Sequence, residues 1–194
     1  MIDIVGSLIG LLVFSPIMLA LSIKIKLEDG GPVFHRQTRV GKNGKTFQML
    51  KFRSMVVGAH LMKDHLMKDN DADGPIFKLK HDPRVTKIGK FMRKHSLDEI
   101  PQFVNVLKGE MSLVGPRPAL PEEVEQYQRD EKKRLIVLPG LTGLWQVSGR
   151  SNLTYQEMIK LDLKYVASKS LLLDVIILFK TVVQMFDTES SGAY

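Results

Sequence analysis

The 194-residue chain contains no cysteine, which excludes disulfides, thiolate zinc sites and cysteine nucleophiles together and fits a reducing compartment. Any covalent step needs another nucleophile. Aromatic residues are sparse as well, with one tryptophan and four tyrosines, so little is available for stacking nucleic-acid bases. Acids are outnumbered, 21 against 28 lysines and arginines, for a formal charge of +7. That balance points to an anionic partner: nucleic acid, a phosphorylated small molecule or an acidic lipid surface. At 44% apolar and 25% charged residues the composition is that of one folded core, not of a disordered chain or a multi-span membrane protein. No long repeat or low-complexity linker divides it.

One long apolar run is present. Residues 4–23 carry no formal charge and lie between Asp3 and Lys24. As a straight helix they span about 30 Å, the thickness of a bilayer core. No basic stretch precedes them and no small-x-small site closes them, so a cleaved signal peptide is a poor reading. The absence of a polar stripe argues against the core helix of a soluble protein. Inside the run stand Ser15 and Pro16. Pro16 removes a backbone donor and crowds the preceding turn, while the Ser15 hydroxyl can bond a freed carbonyl. A bent helix that enters a bilayer and leaves by the same face is therefore physically open beside a plain span.

Beyond Lys26 the chain turns polar. The turn signals Asp29-Gly30-Gly31-Pro32 and Gly41-Lys42-Asn43-Gly44 flank segments 33–40 and 45–52, which read as a strand hairpin. Residues 57–71 hold a tandem, His60-Leu61-Met62-Lys63-Asp64 and His65-Leu66-Met67-Lys68-Asp69, that suits a short amphipathic helix; five-residue spacing puts the histidines on different faces and argues against a metal site. Helices are expected over 97–107, 121–135 and 155–167, and 171–186 fits an amphipathic helix at an interface or against the core. The fold class is mainly α with a small β-hairpin element. Asp174, inside the last of these helices, is expected to meet a basic residue or a helix-surface group, or else to lie beside the active site.

The chemistry concentrates in three places. Residues 78–95 hold Lys78, Lys80, Arg84, Lys87, Lys90, Arg93 and Lys94 against the single acid Asp82, an anion-attracting segment. Directly after it comes Ser96-Leu97-Asp98-Glu99-Ile100-Pro101-Gln102. A capping box, with Ser96 as N-cap and Glu99 reaching back, explains this acidic pair without any chemistry. Neighbours on a helix point about 100° apart, however, so Asp98 and Glu99 can also divide two roles, one attacking a phosphorus and the other holding a metal ion. Lys51-Phe52-Arg53-Ser54-Met55 puts two cations on one side of an extended strand, suited to phosphate oxygens, although a lysine at an exposed strand edge reads the same way. The stretches 113–118 and 139–150 are Gly/Pro-punctuated loops, each with an arginine, of a kind that can hold a nucleotide or merely turn a corner.

Taken together these motifs resemble the bacterial sugar transferases, the monotopic phosphoglycosyl transferases that start glycan assembly on a polyprenyl phosphate carrier. The resemblance runs from Asp3-Ile4-Val5-Gly6 through Gly31-Pro32-Val33-Phe34, Arg36-Gln37, Arg39-Val40-Gly41, 51–55, 96–102, 111–118 and 139–150. It implies an enzyme in which Asp98 is the nucleophile and Glu99 its partner, both near Mg²⁺. It implies phosphate binding by Arg93, with Lys51 and Arg53 balancing the remaining charge, and a uridine nucleotide at Pro116-Arg117-Pro118. Ser15-Pro16 corresponds to the family's helix breaker, so residues 1–26 are expected to form a re-entrant membrane helix and 27–194 a catalytic domain on the cytoplasmic face of the bacterial inner membrane, with further amphipathic helices at the interface. The implied reaction passes a sugar phosphate from a UDP-sugar to polyprenyl (undecaprenyl) phosphate with release of UMP, in exopolysaccharide or lipopolysaccharide biosynthesis. The bilayer and the two substrates are then the partners, nucleic acid is not, and a homo-oligomer stays open. Two departures stand out: basic residues that often precede the first helix are missing, and Lys169 stands where many members have tryptophan. A membrane-anchored basic module binding acidic lipid or nucleic acid without chemistry is the competing reading, and it leaves the acidic pair unexplained.

Overall fold

The computed structural model describes residues 2–70, 77, 79 and 81–186. Its first element, α1 (Ile2–Asp29), is a single helix. Pro16 withholds the N–H that would otherwise serve the Leu12 carbonyl, and the Ser15 hydroxyl donates to that same carbonyl at 2.8 Å. The chain stays helical through this point. Only 11% of its most apolar window is buried, and its length and composition suffice to cross a membrane. The buried stripe of Ser7, Gly10, Leu21 and Ile25 faces the rest of the chain. Gly10 is needed there, because a Cβ would stand 2.7 Å from the Phe103 ring. Both ends of α1 are fastened. Asp3 accepts from Ser112 Oγ (3.0 Å) and the Leu113 amide (2.9 Å), while Asp29 receives both terminal nitrogens of Arg53.

The hairpin forms as the turn signals predict. β1 (Phe34–Val40) and β2 (Thr46–Phe52) pair antiparallel, from Phe34 opposite Phe52 to Val40 opposite Thr46. Asn43 and Gly44 take the left-handed conformations that close it. Phe47 and Met49, two residues apart on one face, enter a core with Val106, Met111, Leu113, Val114, Val147, Tyr165 and Ile177.

Between hairpin and acidic pair the expected helix over 57–71 is instead α2 (Lys63–Leu66) between the 3-10 turns Ala59–Met62 and Met67–Asp69, with residue 71 outside the described residues. The basic segment yields an unanticipated α3 (Lys87–Lys94), capped by Thr86, whose hydroxyl accepts from the Gly89 amide at 3.0 Å. Lys78 and Lys80 lie outside the described residues. The helix expected over 97–107 splits into a 3-10 stretch, Leu97–Gln102, and α4 (Phe103–Leu107), since Pro101 sits where an α-helix would need its amide. The helix expected over 121–135 is likewise broken, into α5 (Pro121–Glu125) and the 3-10 stretch Glu131–Ile136.

Segments read as loops contain a second sheet. β3 (Ser112–Val114) and β4 (Gly140–Thr142) pair in parallel, so close to the next residues that a Cβ on Gly140 would meet the Gly115 amide at 2.1 Å. α6 (Tyr155–Ser168) begins with a capping box between Thr154 and Glu157, and α7 (Leu171–Phe186) ends the described chain. Among the described residues Asp174 on α7 forms no ion pair with a basic residue. Its Oδ1 lies 2.7 Å from the Tyr165 hydroxyl, which is also 3.0 Å from the Val114 carbonyl. The opposite side of α7 leaves Leu172 and Phe179 about seven-tenths exposed, together with Leu171, Val175, Val182 and Val183.

Candidate active site

Asp98 and Glu99 stand on the 3-10 stretch Leu97–Gln102, which packs against β2. Ser96, just before them, is held left-handed at φ 56° with no side-chain capping bond. A serine in that region is strained. The capping-box reading therefore fails. Glu99 does not reach back to Ser96; its Oε1 accepts from Lys51 Nζ at 2.7 Å, across 48 residues of chain.

Asp98 is 9% exposed, whereas the Glu99 side chain is 31% exposed. Burial pushes the Asp98 carboxyl above its ordinary value, Lys51 and Arg93 oppose that rise, and the charge of Glu99 adds to it. For Glu99 burial acts the same way but is overcome by the charge and hydrogen bond of Lys51, then by Arg39 and Arg117, so its pKa falls. The two carboxylates are thus driven apart, Glu99 holding its charge while Asp98 depends on nearby cations to stay ionised. Two inequivalent acids side by side are what a division of roles requires.

Arg93 comes to the pair from α3. Its Nε donates to Ser54 Oγ at 3.0 Å, and burial lowers its pKa while Asp98 and Asp82 raise it. Gly89, one turn earlier, lets α3 touch the chain at Ser54, where a Cβ would stand 2.0 Å from the Ser54 carbonyl oxygen. Lys51 and Arg93 therefore converge on the pair. Arg53 does not. It lies just past β2 with Nε on the Pro32 carbonyl and both terminal nitrogens on Asp29. Pro116-Arg117-Pro118 follows β3, and Arg117 forks onto Glu123 at 2.9 and 3.3 Å. Two arginines given no role by sequence reasoning also belong here: Arg39, whose charge acts on Glu99, and Arg150, left-handed at φ 47°, whose pKa is lowered by burial against an opposing pull from Glu99. Both sat inside the motifs 39–41 and 139–150, but spacing alone does not bring segments this distant together.

Among the described residues no cluster of three or more histidines and carboxylates forms a metal cage. Mg²⁺ needs none, since it is commonly held by one or two carboxylates with water and substrate phosphates filling its shell. The hard oxygens of Asp98 and Glu99 suit that ion.

The site thus joins two unequal carboxylates to Lys51 and Arg93, on a body that carries a largely exposed apolar helix. The profile of the bacterial sugar transferases matches residues 1–188, and the chain belongs to that family. A galactosyl transferase of Streptococcus agalactiae serotype III is 50% identical over 182 residues, covering 93% of this chain and 40% of that protein. The undecaprenyl-phosphate galactose phosphotransferase of Salmonella typhimurium is 47% identical over 187 residues, covering 92% and 38%. An exopolysaccharide production protein of Sinorhizobium fredii is 42% identical over 184 residues, covering 93% and 81%. The chain spans about two fifths of the length of the first two relatives.

Proposed function

We propose that the chain transfers a sugar phosphate from a UDP-sugar to undecaprenyl phosphate through an ester on Asp98, releasing UMP. The observation that carries this reading is the buried Asp98 carboxylate beside a Lys51-bound Glu99, with the charge of Arg93 acting on it. A carboxylate approaching a diphosphate meets like charge, and these cations offset it in a site with little water. In the first step an Asp98 oxygen bonds to the sugar-bearing phosphorus and the bond from that phosphorus to UMP breaks, UMP taking the electron pair. In the second, an oxygen of the lipid phosphate bonds to the same phosphorus and the Asp98 ester breaks, giving the polyprenyl diphosphate sugar; the anomeric bond is untouched. Asp98 and Glu99 would hold Mg²⁺, which would neutralise diphosphate charge. Lys51 and Arg93 bind the remaining phosphate oxygens, and 116–118 receives the nucleotide.

The lipid is insoluble and the nucleotide sugar is aqueous, so transfer belongs at the membrane plane. We take residues 1–26 as a re-entrant helix, with Ser15 and Pro16 supplying its weak point, and α7 as an interfacial helix, on the cytoplasmic face of a bacterial inner membrane. Its products would feed exopolysaccharide or lipopolysaccharide synthesis. The test is incubation with a panel of UDP-sugars, Mg²⁺ and a short polyprenyl phosphate, scoring UMP. UMP that appears only with lipid acceptor present, beyond one equivalent per enzyme, supports transfer. UMP release independent of acceptor means hydrolysis, and salt-sensitive lipid binding without UMP means a non-catalytic module.

A further inference from the structure

The nucleotide loop has an unusual problem of support. Pro116 and Pro118 have no amide hydrogen, so the loop can be fixed mainly through the oxygens of its carbonyls. Four successive carbonyls each meet a donor from elsewhere in the fold. The Pro116 carbonyl accepts from the Gly140 amide at 2.8 Å and the Ala119 carbonyl from the Val40 amide at 2.9 Å. The two between them are met by buried guanidinium groups. Arg39 donates to the Pro118 carbonyl at 3.0 Å, and Arg134 reaches the Arg117 carbonyl at 3.4 Å.

Neither arginine is placed there cheaply. Arg39 is 7% exposed, its other terminal nitrogen donates to the neutral Gln37 side chain at 2.8 Å, its Nε has no partner, and among the described residues no carboxylate pairs with it. A buried cation satisfied only by neutral oxygens costs stability, which is tolerated where the charge does something else. Arg134, also 7% exposed, is held by Asp162 Oδ2 at 2.6 and 2.9 Å and by the Tyr127 hydroxyl. Asp162 is fully buried, so this second guanidinium is locked from behind. The Arg117 side chain itself stays 25% exposed while it forks onto Glu123.

We propose that Arg39 and Arg134 are positioning residues for the donor nucleotide: they hold the loop 116–118 by its carbonyls in the shape that receives a uridine nucleotide, without touching the reacting phosphorus. This rests on the function proposed above. The experiment measures UMP affinity by calorimetry and UDP-sugar kinetics on the full chain in detergent, for the wild type, Arg39→Gln, Arg39→Lys, Gln37→Leu and Arg134→Lys. Arg39→Gln should weaken UMP binding and raise KM about tenfold, with a smaller fall in kcat, because the loop is misplaced while Arg39 acts on Glu99 only through its charge. Arg39→Lys, which keeps one donor, should recover part of the affinity. Gln37→Leu, which releases only the second nitrogen of Arg39, should give a smaller shift of the same kind with a modest fall in melting temperature. Unchanged UMP affinity in folded Gln37→Leu and Arg39→Lys proteins, or a loss confined to kcat, would overturn the positioning role. A wild-type protein that neither binds UMP nor releases it from any UDP-sugar would instead remove the underlying function.

Discussion

Replacing Gly89 by alanine tests how closely α3 must approach Ser54 for Arg93 to serve Asp98. The added Cβ would lie 2.0 Å from the Ser54 carbonyl oxygen and 2.8 Å from its carbon, where real Cβ contacts stay beyond 3.0 Å. The obstacle is backbone on both sides, so the helix must retreat by about 1 Å, not merely turn a side chain aside. That oxygen also accepts from the Thr86 amide at 3.1 Å, and the Ser54 hydroxyl holds Arg93 Nε at 3.0 Å, so the retreat strains the start of α3 and its functional arginine together. Overpacking of this kind costs about 2 kcal/mol, which for a chain this size lowers the melting midpoint by about 4–8 °C. Misplacing a phosphate-binding cation by 1 Å costs about a hundredfold in kcat/KM. Thermal unfolding followed by circular dichroism and UMP release with saturating acceptor measure the two effects on one preparation. A Gly89→Ala protein that melts and turns over like the wild type would refute the reasoning, since it would show that the α3 to Ser54 contact is not what sets Arg93.

Three further substitutions probe separate parts of the fold. Arg53→Ala should loosen the junction at the end of α1, lowering the melting midpoint and exposing residues near Asp29 to protease, with a smaller change in donor KM; a large KM change with unaltered stability would return Arg53 to phosphate binding. Tyr165→Phe removes the hydroxyl that bridges Val114 and Asp174, leaves Asp174 without that partner, and should cost about 1–3 kcal/mol in denaturant unfolding, whereas a cost near zero would mean the contact is dispensable. Burial raises the Glu123 pKa, but Arg117, the Leu120 amide and Arg39 outweigh it and leave the carboxyl below 4.5. Its stabilisation is therefore present above pH 4.5 and lost as pH falls through the lowered value, so Glu123→Gln should be less stable near neutrality and show a flatter acid limb; an acid limb identical to wild type would contradict the pairing.

Local signals carried far in this sequence. The hairpin was legible because its turn needs left-handed residues and has Asn43 and Gly44, and α6 and α7 were legible from capping chemistry and apolar spacing. The small parallel sheet was not, because three-residue strands leave no alternation to read and the glycines that permit their close approach look like loop residues. At the site, Asp98, Glu99, Lys51 and Arg93 all stand out in the sequence, but there a capping box accounts for the acidic pair equally well, and only the fold brings Lys51 to Glu99. Arg53 and Lys51 share a strand side in sequence yet part company, as the strand ends at Phe52 and Asp29 captures the arginine. Arg39 and Arg134 were invisible as a pair, since what unites them is a loop whose carbonyls neither sequence segment contains.

The proposed reaction turns on a covalent bond at one side chain. Intact-mass analysis of the chain after brief exposure to UDP-sugar and Mg²⁺, with no lipid acceptor, followed by peptide mapping, addresses that bond directly. It should find a phosphosugar adduct on Asp98 that disappears on adding polyprenyl phosphate and never forms in Asp98→Asn. An active preparation that carries no such adduct, or an Asp98→Asn protein with full turnover, would contradict it.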